Sequence, residues 1–138
     1  MALEWREQLS VGNDLIDSDH KYLIELINQA TDGLAKRALT ELAAVLDNLS
    51  RYSKVHFSRE EQVAVAVGYP GASHLHESHG DLLKKLEQIT AEIGQDWTQA
   101  SAEHFSAFLR DWLINHVIKE DMLMKPYMKK FSPRFDPR

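Results

Sequence analysis

Four long stretches of this sequence carry apolar residues at intervals of three and four, and short connections, two of them marked by glycine, separate them. This spacing places the apolar side chains on one face of an α-helix, because 3.6 residues complete a turn. No stretch alternates apolar and polar residues as a half-buried strand does. The pattern predicts an all-α fold, an antiparallel up-down-up-down four-helix bundle with short connections.

Residues that commonly cap or end helices mark the borders of the four predicted helices. These residues are Asp17 and Arg37 for the first helix, Thr40 and Gly68 for the second, Ser73 and Gly94 for the third, and Thr98 and Pro126 for the fourth. We therefore expect one domain over residues 1–138, which is enough chain to bury a core. It divides into a non-helical N-terminal arm (1–16), the bundle (17–129) and a tail (130–138). Trp5 and Leu9 should pack the arm against the bundle.

The composition excludes several classes of protein. There are no cysteines, so disulfides, thiolate nucleophiles and thiolate metal sites are ruled out. The formal net charge of −5 argues against a nucleic-acid partner, since affinity for the phosphate backbone comes mainly from clustered Lys and Arg. No apolar run is long enough for a membrane span, and the first residues do not form a secretory signal. We expect a cytoplasmic protein without membrane insertion.

Histidines fall at matching levels of the four predicted helices. His20 starts the first, His56 lies toward the end of the second, His76 and His79 lie near the start of the third, and His116 lies late in the fourth. In an antiparallel bundle the start of an odd helix and the end of an even helix share one level. These imidazoles are therefore expected to meet in a single layer of the core.

Two acidic residues accompany these histidines. Glu60 follows His56 by four residues, so the two side chains share a helix face. Asp121 follows His116 by five residues, about 140° around an ideal helix, so a local distortion is needed to bring both inward. The neighbouring Glu61 is expected on the surface.

Burying several imidazoles and two carboxylates would cost several kcal/mol, roughly, for each unpaired charged group. A pair of metal ions, bridged by the carboxylates and bound by neutral imidazoles, compensates this cost. Nitrogen and oxygen ligands without sulfur suit iron or manganese, and zinc can also occupy such a site.

The residues at these positions form motifs that resemble those of the hemerythrin family, in particular the bacterial single-domain hemerythrins (bacteriohemerythrins). The motifs are Asp17-Ser18-Asp19-His20-Lys21, His56-Phe57-Ser58-Arg59-Glu60-Glu61, Gly68-Tyr69-Pro70, and Trp112-Leu113-Ile114-Asn115-His116 followed by Asp121. The resemblance extends from Trp5 through Tyr127. It implies two non-haem iron ions bridged by two carboxylates and a dioxygen-binding function.

The resemblance also implies a role for each matching residue. One iron takes two histidines, which match His20 and His56, and keeps an open position for dioxygen. The other takes three, of which His79 and His116 match two. Glu60 and Asp121 match the bridging carboxylates. Leu113, with its neighbour Trp112, matches the lining of the dioxygen pocket.

One position departs from the family pattern. The family has two histidines four residues apart on the third helix, and the residue four before His79 is Leu75. His76 lies about 60° from His79 around an ideal helix and is the better substitute, while His74 is about 140° away. We predict His76 as the ligand, with a Leu75 vacancy as the alternative. The predicted metal ligands are thus His20, His56, Glu60, His76, His79, His116 and Asp121.

These observations favour reversible dioxygen binding for storage, delivery or sensing, so we expect a carrier, not an enzyme. A vacancy at Leu75 would leave open positions on both irons, which favours a di-iron enzyme such as a ferroxidase or a peroxide- or nitric-oxide-handling protein. A metal-free interaction bundle is the third hypothesis. Besides dioxygen, the expected partners are an oxygen-using enzyme or a signalling protein.

Overall fold

The computed structural model describes residues 2–93 and 97–138, and their helices pack as a four-helix bundle without strands, as predicted. The first three helices are α1 (Asp14–Lys36), α2 (Leu39–Ala66) and α3 (Ala72–Ile93). The fourth helical rod is interrupted: α4 (Gln99–Asp111), a π-helical segment (Trp112–Ile118), α5 (Lys119–Asp121), a 3-10 turn (Met122–Met124) and α6 (Lys125–Met128). The arm adds one 3-10 turn, Glu7–Leu9.

Side-chain caps determine where α1 and α4 begin. The Asn13 side chain accepts a hydrogen bond from the Ile16 amide, so α1 starts earlier than the sequence predicts. Thr98 accepts one from the Ser101 amide at 3.1 Å and caps α4, which confirms the predicted start.

The turn after α2 depends on glycine. Gly68 has a φ of +75°, a conformation that side chains disfavour, and this stops the helix at its predicted end. Gly94, the predicted end of the third helix, lies outside the described residues.

The helices form a closed ring around the core. α1 packs against α2 and α4, α2 packs against α3, and the π-helical segment contacts both α1 and α3. Burying each large apolar side chain contributes about 1.5–3 kcal/mol to this packing.

Two apolar clusters fill the core at different levels. The larger includes Leu23, Phe57, Leu82 and Ile118, and the smaller includes Ile16, Val63, Leu75 and Met124. Each of the four helical rods carries one of these residues from each cluster. Between the two lies a short stretch that contains a predicted ligand, as His20 lies between Ile16 and Leu23. The polar layer of the sequence prediction therefore lies between the two clusters.

Both termini fold back on the bundle. Trp5 and Leu9 pack against the core, as predicted. In the tail, the Pro133 carbonyl accepts a hydrogen bond from the Asp14 amide at 2.7 Å, which holds the tail against the start of α1. Within the described part of the chain, every helix is too short or too polar to cross a membrane.

Candidate metal centre

Four buried side chains from three helices meet in the polar layer. His20 comes from α1, His56 and Glu60 from α2, and Asp121 from α5. One nitrogen or oxygen atom of each lies within 4.8 Å of those of the other three, and all four residues are inaccessible to solvent. We call this group the buried cluster. The structure thus brings together four of the seven predicted ligands in a group that can hold a metal ion.

The distances within the buried cluster are short. His20 Nε2 lies 2.7 Å from Asp121 Oδ2 and 3.7 Å from Glu60 Oε2. His56 Nε2 lies 2.9 Å from Glu60 Oε2 and 3.6 Å from Asp121 Oδ2. Two imidazole nitrogens therefore face two carboxylate oxygens, which is a mixed donor set without sulfur.

Several of these atoms lack a hydrogen-bond partner among the described residues. They are His20 Nδ1, His56 Nε2, Glu60 Oε2 and Asp121 Oδ1. His56 Nε2 and Glu60 Oε2 are close enough for a hydrogen bond but are not aligned for one. An unpaired buried polar atom costs about 1–3 kcal/mol. A bound cation would use the lone pairs of His56 Nε2 and Glu60 Oε2, which face each other, as ligands. His20 faces the cluster with Nε2, so its Nδ1 would not bind the same ion.

The two carboxylates of the buried cluster respond differently to burial. Burial and the charge of Glu60 raise the pKa of Asp121 to about 7. Burial also acts to raise the pKa of Glu60, but the charge of His56 and several hydrogen bonds outweigh it, so this pKa lies well below its ordinary value. One carboxylate is therefore ionised at neutral pH, while the other is close to its midpoint.

The histidines are held toward their protonated form in the absence of a metal. Burial acts to lower the pKa of His56, but the charge of Glu60 and several hydrogen bonds outweigh this effect. The pKa of His56 therefore lies well above its ordinary value. Burial also acts to lower the pKa of His20, but its hydrogen bonds, chiefly that to Asp121, raise the pKa by more, so the net pKa of His20 is raised. Protons thus partly balance the buried negative charge, as a cation would.

His79 approaches the buried cluster from α3. Its Nε2 lies 3.0 Å from Glu60 Oε1, the carboxylate oxygen that His56 does not approach. Its Nδ1 lies 2.9 Å from Glu61 Oε2, and its ring stacks on Phe57 with centroids 4.1 Å apart. The two oxygens of Glu60 are therefore directed to different imidazoles.

Asp19 supports His56 from behind. Its Oδ2 lies 3.0 Å from His56 Nδ1, while its Oδ1 accepts hydrogen bonds from Tyr52 Oη at 2.5 Å and Arg59 Nη1 at 2.7 Å. Burial and the bond to Asp19 raise the pKa of Tyr52 to about 12, so this hydroxyl stays a donor. Such outer carboxylates fix the orientation of metal-binding imidazoles.

Sequence reasoning missed the roles of Asp19 and Glu61. Asp19 was expected only as part of the helix start, although it is 1% exposed. Glu61 was expected on the surface, but it contacts the buried His79. The one signal in the sequence was that Asp19 and Glu61 are next to the predicted ligands His20 and Glu60. A residue beside a ligand on one helix can form a hydrogen bond to a ligand on the neighbouring helix.

The structure places His76 outside the buried cluster, so its role as a metal ligand stays a prediction. Its side chain is 76% exposed and contacts Glu61 at the surface, away from Glu60. The reason is the register of α3: Leu75 and His79, four residues apart, both point inward, and His76 is one residue, about 100°, beyond Leu75. His74 is 79% exposed and does not substitute either. The inward position four residues before His79 is therefore occupied by Leu75, whose side chain has no nitrogen to bind a metal.

The structure also places His116 outside the buried cluster, so its role as a ligand stays a prediction. Its side chain is 49% exposed, and Nε2 lies 3.1 Å from Asp111 Oδ2. The expected helix distortion is present as the π-helical segment, and within it Val117 is buried while His116 is exposed.

Trp112 and Leu113, predicted to line a dioxygen pocket, are both buried in the larger apolar cluster. The Trp112 indole donates a hydrogen bond to the Leu82 carbonyl at 3.0 Å. Their contact with dioxygen stays a prediction.

Comparison with known proteins identifies related chains. A model of the hemerythrin HHE cation binding domain matches residues 11–128. A bacteriohemerythrin of Methylococcus capsulatus is 34% identical over 117 residues, which cover 80% of this chain and 83% of that protein. A bacteriohemerythrin of Campylobacter jejuni is 31% identical over 131 residues, which cover 90% of this chain and 94% of that protein.

The fold also has a counterpart among solved structures. The crystal structure of a leucine-to-tyrosine mutant of a hemerythrin superposes with a TM-score of 0.78 at 25% identity, covering 93% of this chain and 98% of that chain. The likeness thus extends over nearly the whole bundle.

Proposed function

This chain belongs to the hemerythrin family, and we propose that it holds non-haem iron in the buried cluster and binds dioxygen reversibly there. One observation carries the proposal: nitrogen and oxygen atoms of His20, His56, Glu60 and Asp121 lie within 4.8 Å of one another in a core layer closed to solvent. Two of them, His56 Nε2 and Glu60 Oε2, face each other there without a hydrogen-bond partner among the described residues. Such an arrangement is costly unless a cation occupies it.

The donor set fits iron. Two imidazoles and two carboxylates without sulfur suit iron or manganese. In the family arrangement, two such ions are bridged by the carboxylates, and Glu60 and Asp121 are the residues for this role. Bound iron would supply a redox-active centre with an open position for dioxygen.

The chain's own residues prepare the site. Asp19 accepts a hydrogen bond from the Nδ1–H of His56 and so leaves Nε2 free to bind a metal. Glu61 stands in the same relation to His79. Trp112 and Leu113, together with the rest of the larger apolar cluster, exclude water from one side of the layer. A dry pocket protects a bound gas from side reactions.

The wider context is also a proposal. A small protein of this kind would work in the cytoplasm, where it would deliver dioxygen to an oxygen-using enzyme or report it to a signalling protein.

A second function is favoured by one specific observation. Leu75 lies inward where a histidine ligand was expected, and His116 lies at the surface. A metal on the His79 side would therefore keep several open positions. Open positions on both metals favour a di-iron enzyme that activates dioxygen or handles peroxide or nitric oxide.

The experiment that separates these functions starts from anaerobically prepared, iron-loaded protein. Dioxygen is added and then removed by degassing, while optical absorption follows the iron centre. Reversible binding predicts a charge-transfer band that appears and then bleaches. Rapid, irreversible oxidation to the ferric form supports the enzyme instead. A Glu60→Gln variant should lose the band, whereas Glu87→Gln, an exposed residue of α3, serves as the matched control and should keep it.

A further inference from the structure

The buried cluster offers a complete position for one metal ion. His20 Nε2, His56 Nε2, Glu60 Oε2 and Asp121 Oδ2 are mutually close and fully buried. Among residues 2–93 and 97–138, this is the one group of three or more such donors gathered within 4.8 Å. Asp19 further orients His56 within it. Four oriented donors make a tight site.

The side of Glu60 that faces His79 offers fewer donors. Glu60 Oε1 lies 3.0 Å from His79 Nε2, and Asp121 Oδ1 is buried without a hydrogen-bond partner among the described residues. Of these three atoms, only His79 Nε2 is an imidazole nitrogen.

The surroundings of this second position add no further nitrogen. Leu75 and Val117 occupy inward positions one helical turn before His79 and Asp121, and both are apolar and buried. His76 and His116, which sit one residue away from them along the chain, are directed to the surface. Among these residues, His79 is therefore the one imidazole that approaches Glu60 Oε1.

From this asymmetry we infer that the chain loads metal in two unequal steps. The first ion binds tightly between His20, His56, Glu60 and Asp121. The second binds beside His79 at least about 100-fold more weakly, because the loss of even an outer partner of a ligand costs 10–100-fold in affinity. The inference rests on the proposed metal site and adds that its two metal positions differ in affinity. Dioxygen binding that needs two irons would then depend on the free iron concentration.

Anaerobic calorimetric titration of the metal-free full chain with Fe²⁺ alone tests this, with metal analysis after gel filtration. We expect one tight equivalent that survives gel filtration and a second, weaker equivalent that is lost. A single tight equivalent with no further binding overturns the second step and leaves the proposed metal binding intact. Two equivalents of equal affinity, or cooperative uptake of both, overturn it but leave the proposed metal binding intact. No binding at all overturns both.

Variants assign the two steps. His79→Ala should abolish the weak step and keep the tight one, while His56→Ala should abolish the tight one. His104→Ala, which removes an exposed imidazole of α4, is the matched control and should change neither step. His116→Ala, which removes an imidazole at the surface, should also change neither. Loss of the weak step in His116→Ala would overturn the inference. Leu75→His restores an inward imidazole and should tighten the weak step at least about tenfold.

Discussion

His56 Nδ1 lies 3.0 Å from Asp19 Oδ2, while Nε2 on the opposite side of the ring faces Glu60. Asp19 is in turn held by Arg59 and Tyr52. The ring therefore has one fixed orientation and one fixed nitrogen toward the buried cluster. Removing the charge of Asp19 should loosen the metal position without touching a ligand.

For an Asp19→Asn variant we expect metal affinity to fall about 10–100-fold, because the amide no longer gives His56 a charged acceptor. A chelator competition assay measures this. Asp14→Asn, which changes an exposed acid at the start of the same helix, is the control. Equal affinities of the two variants would show that Asp19 does not support the site.

The stability of the metal-free protein should fall as pH rises. The pKa values of His20, His56 and His79 are raised in the folded state, so their stabilisation is complete below about pH 6.5 and is lost as pH rises through the folded pKa values. The pKa of Asp121 is raised from its ordinary value of 3.8 to about 7, so the stability that this residue contributes is lost as pH rises between these two values. The pKa of Glu60 is lowered, so the stability that Glu60 contributes is lost as pH falls, and this happens only at acidic pH.

Urea denaturation in the presence of a chelator, at several values between about pH 6 and about pH 9, checks this trend. The free energy of unfolding should decrease across that range. With iron bound, the decrease should disappear, because ligation requires deprotonated imidazoles and competes with protons. Metal-free protein that becomes more stable toward alkaline pH would contradict the predicted charge balance.

Phe57 stacks on His79 with an angle of 9° between the rings. A Phe57→Leu variant keeps an apolar side chain but removes this support, so the second, weaker metal position should lose affinity. Phe105→Leu makes a similar change in the same apolar cluster, away from His79, and is the control. Calorimetric titration of both variants makes the comparison. A similar weakening in the two would mean that the effect is one of general stability.

Leu113 is fully buried, and a larger ring at this position has to displace its neighbours. Leu113→Tyr should cost about 1–3 kcal/mol of stability through overpacking. It should also change dioxygen binding while iron content stays the same. Iron analysis and an oxygen titration test this together. Loss of iron would place Leu113 among the residues that maintain the ligand geometry.

The sequence predicted most of the fold, because apolar spacing and caps such as Thr98 are local signals. It also predicted the buried cluster, since His20, His56 and Glu60 lie on regular helices whose registers follow from the apolar pattern. The position of Asp121 depended on the expected distortion of the fourth rod, which is present as the π-helical segment.

The remaining ligand predictions depended on register at irregular points. His76 lies near the start of α3. A rotation of this helix by one residue, about 100°, determines whether His76 or Leu75 points inward. His116 lies inside the π-helical segment, where ideal α-helical angles do not apply. Asp19 and Glu61 support ligands on other helices, and such long-range contacts leave no periodic trace in one sequence.

The most direct test of the metal centre is anomalous diffraction at the iron absorption edge from crystals grown with iron. The strongest anomalous peak should lie within bonding distance of His20, His56, Glu60 and Asp121, with a weaker peak or none beside His79. A peak only at the surface, for instance beside His76 or His116, or a buried cluster without iron, would contradict the account.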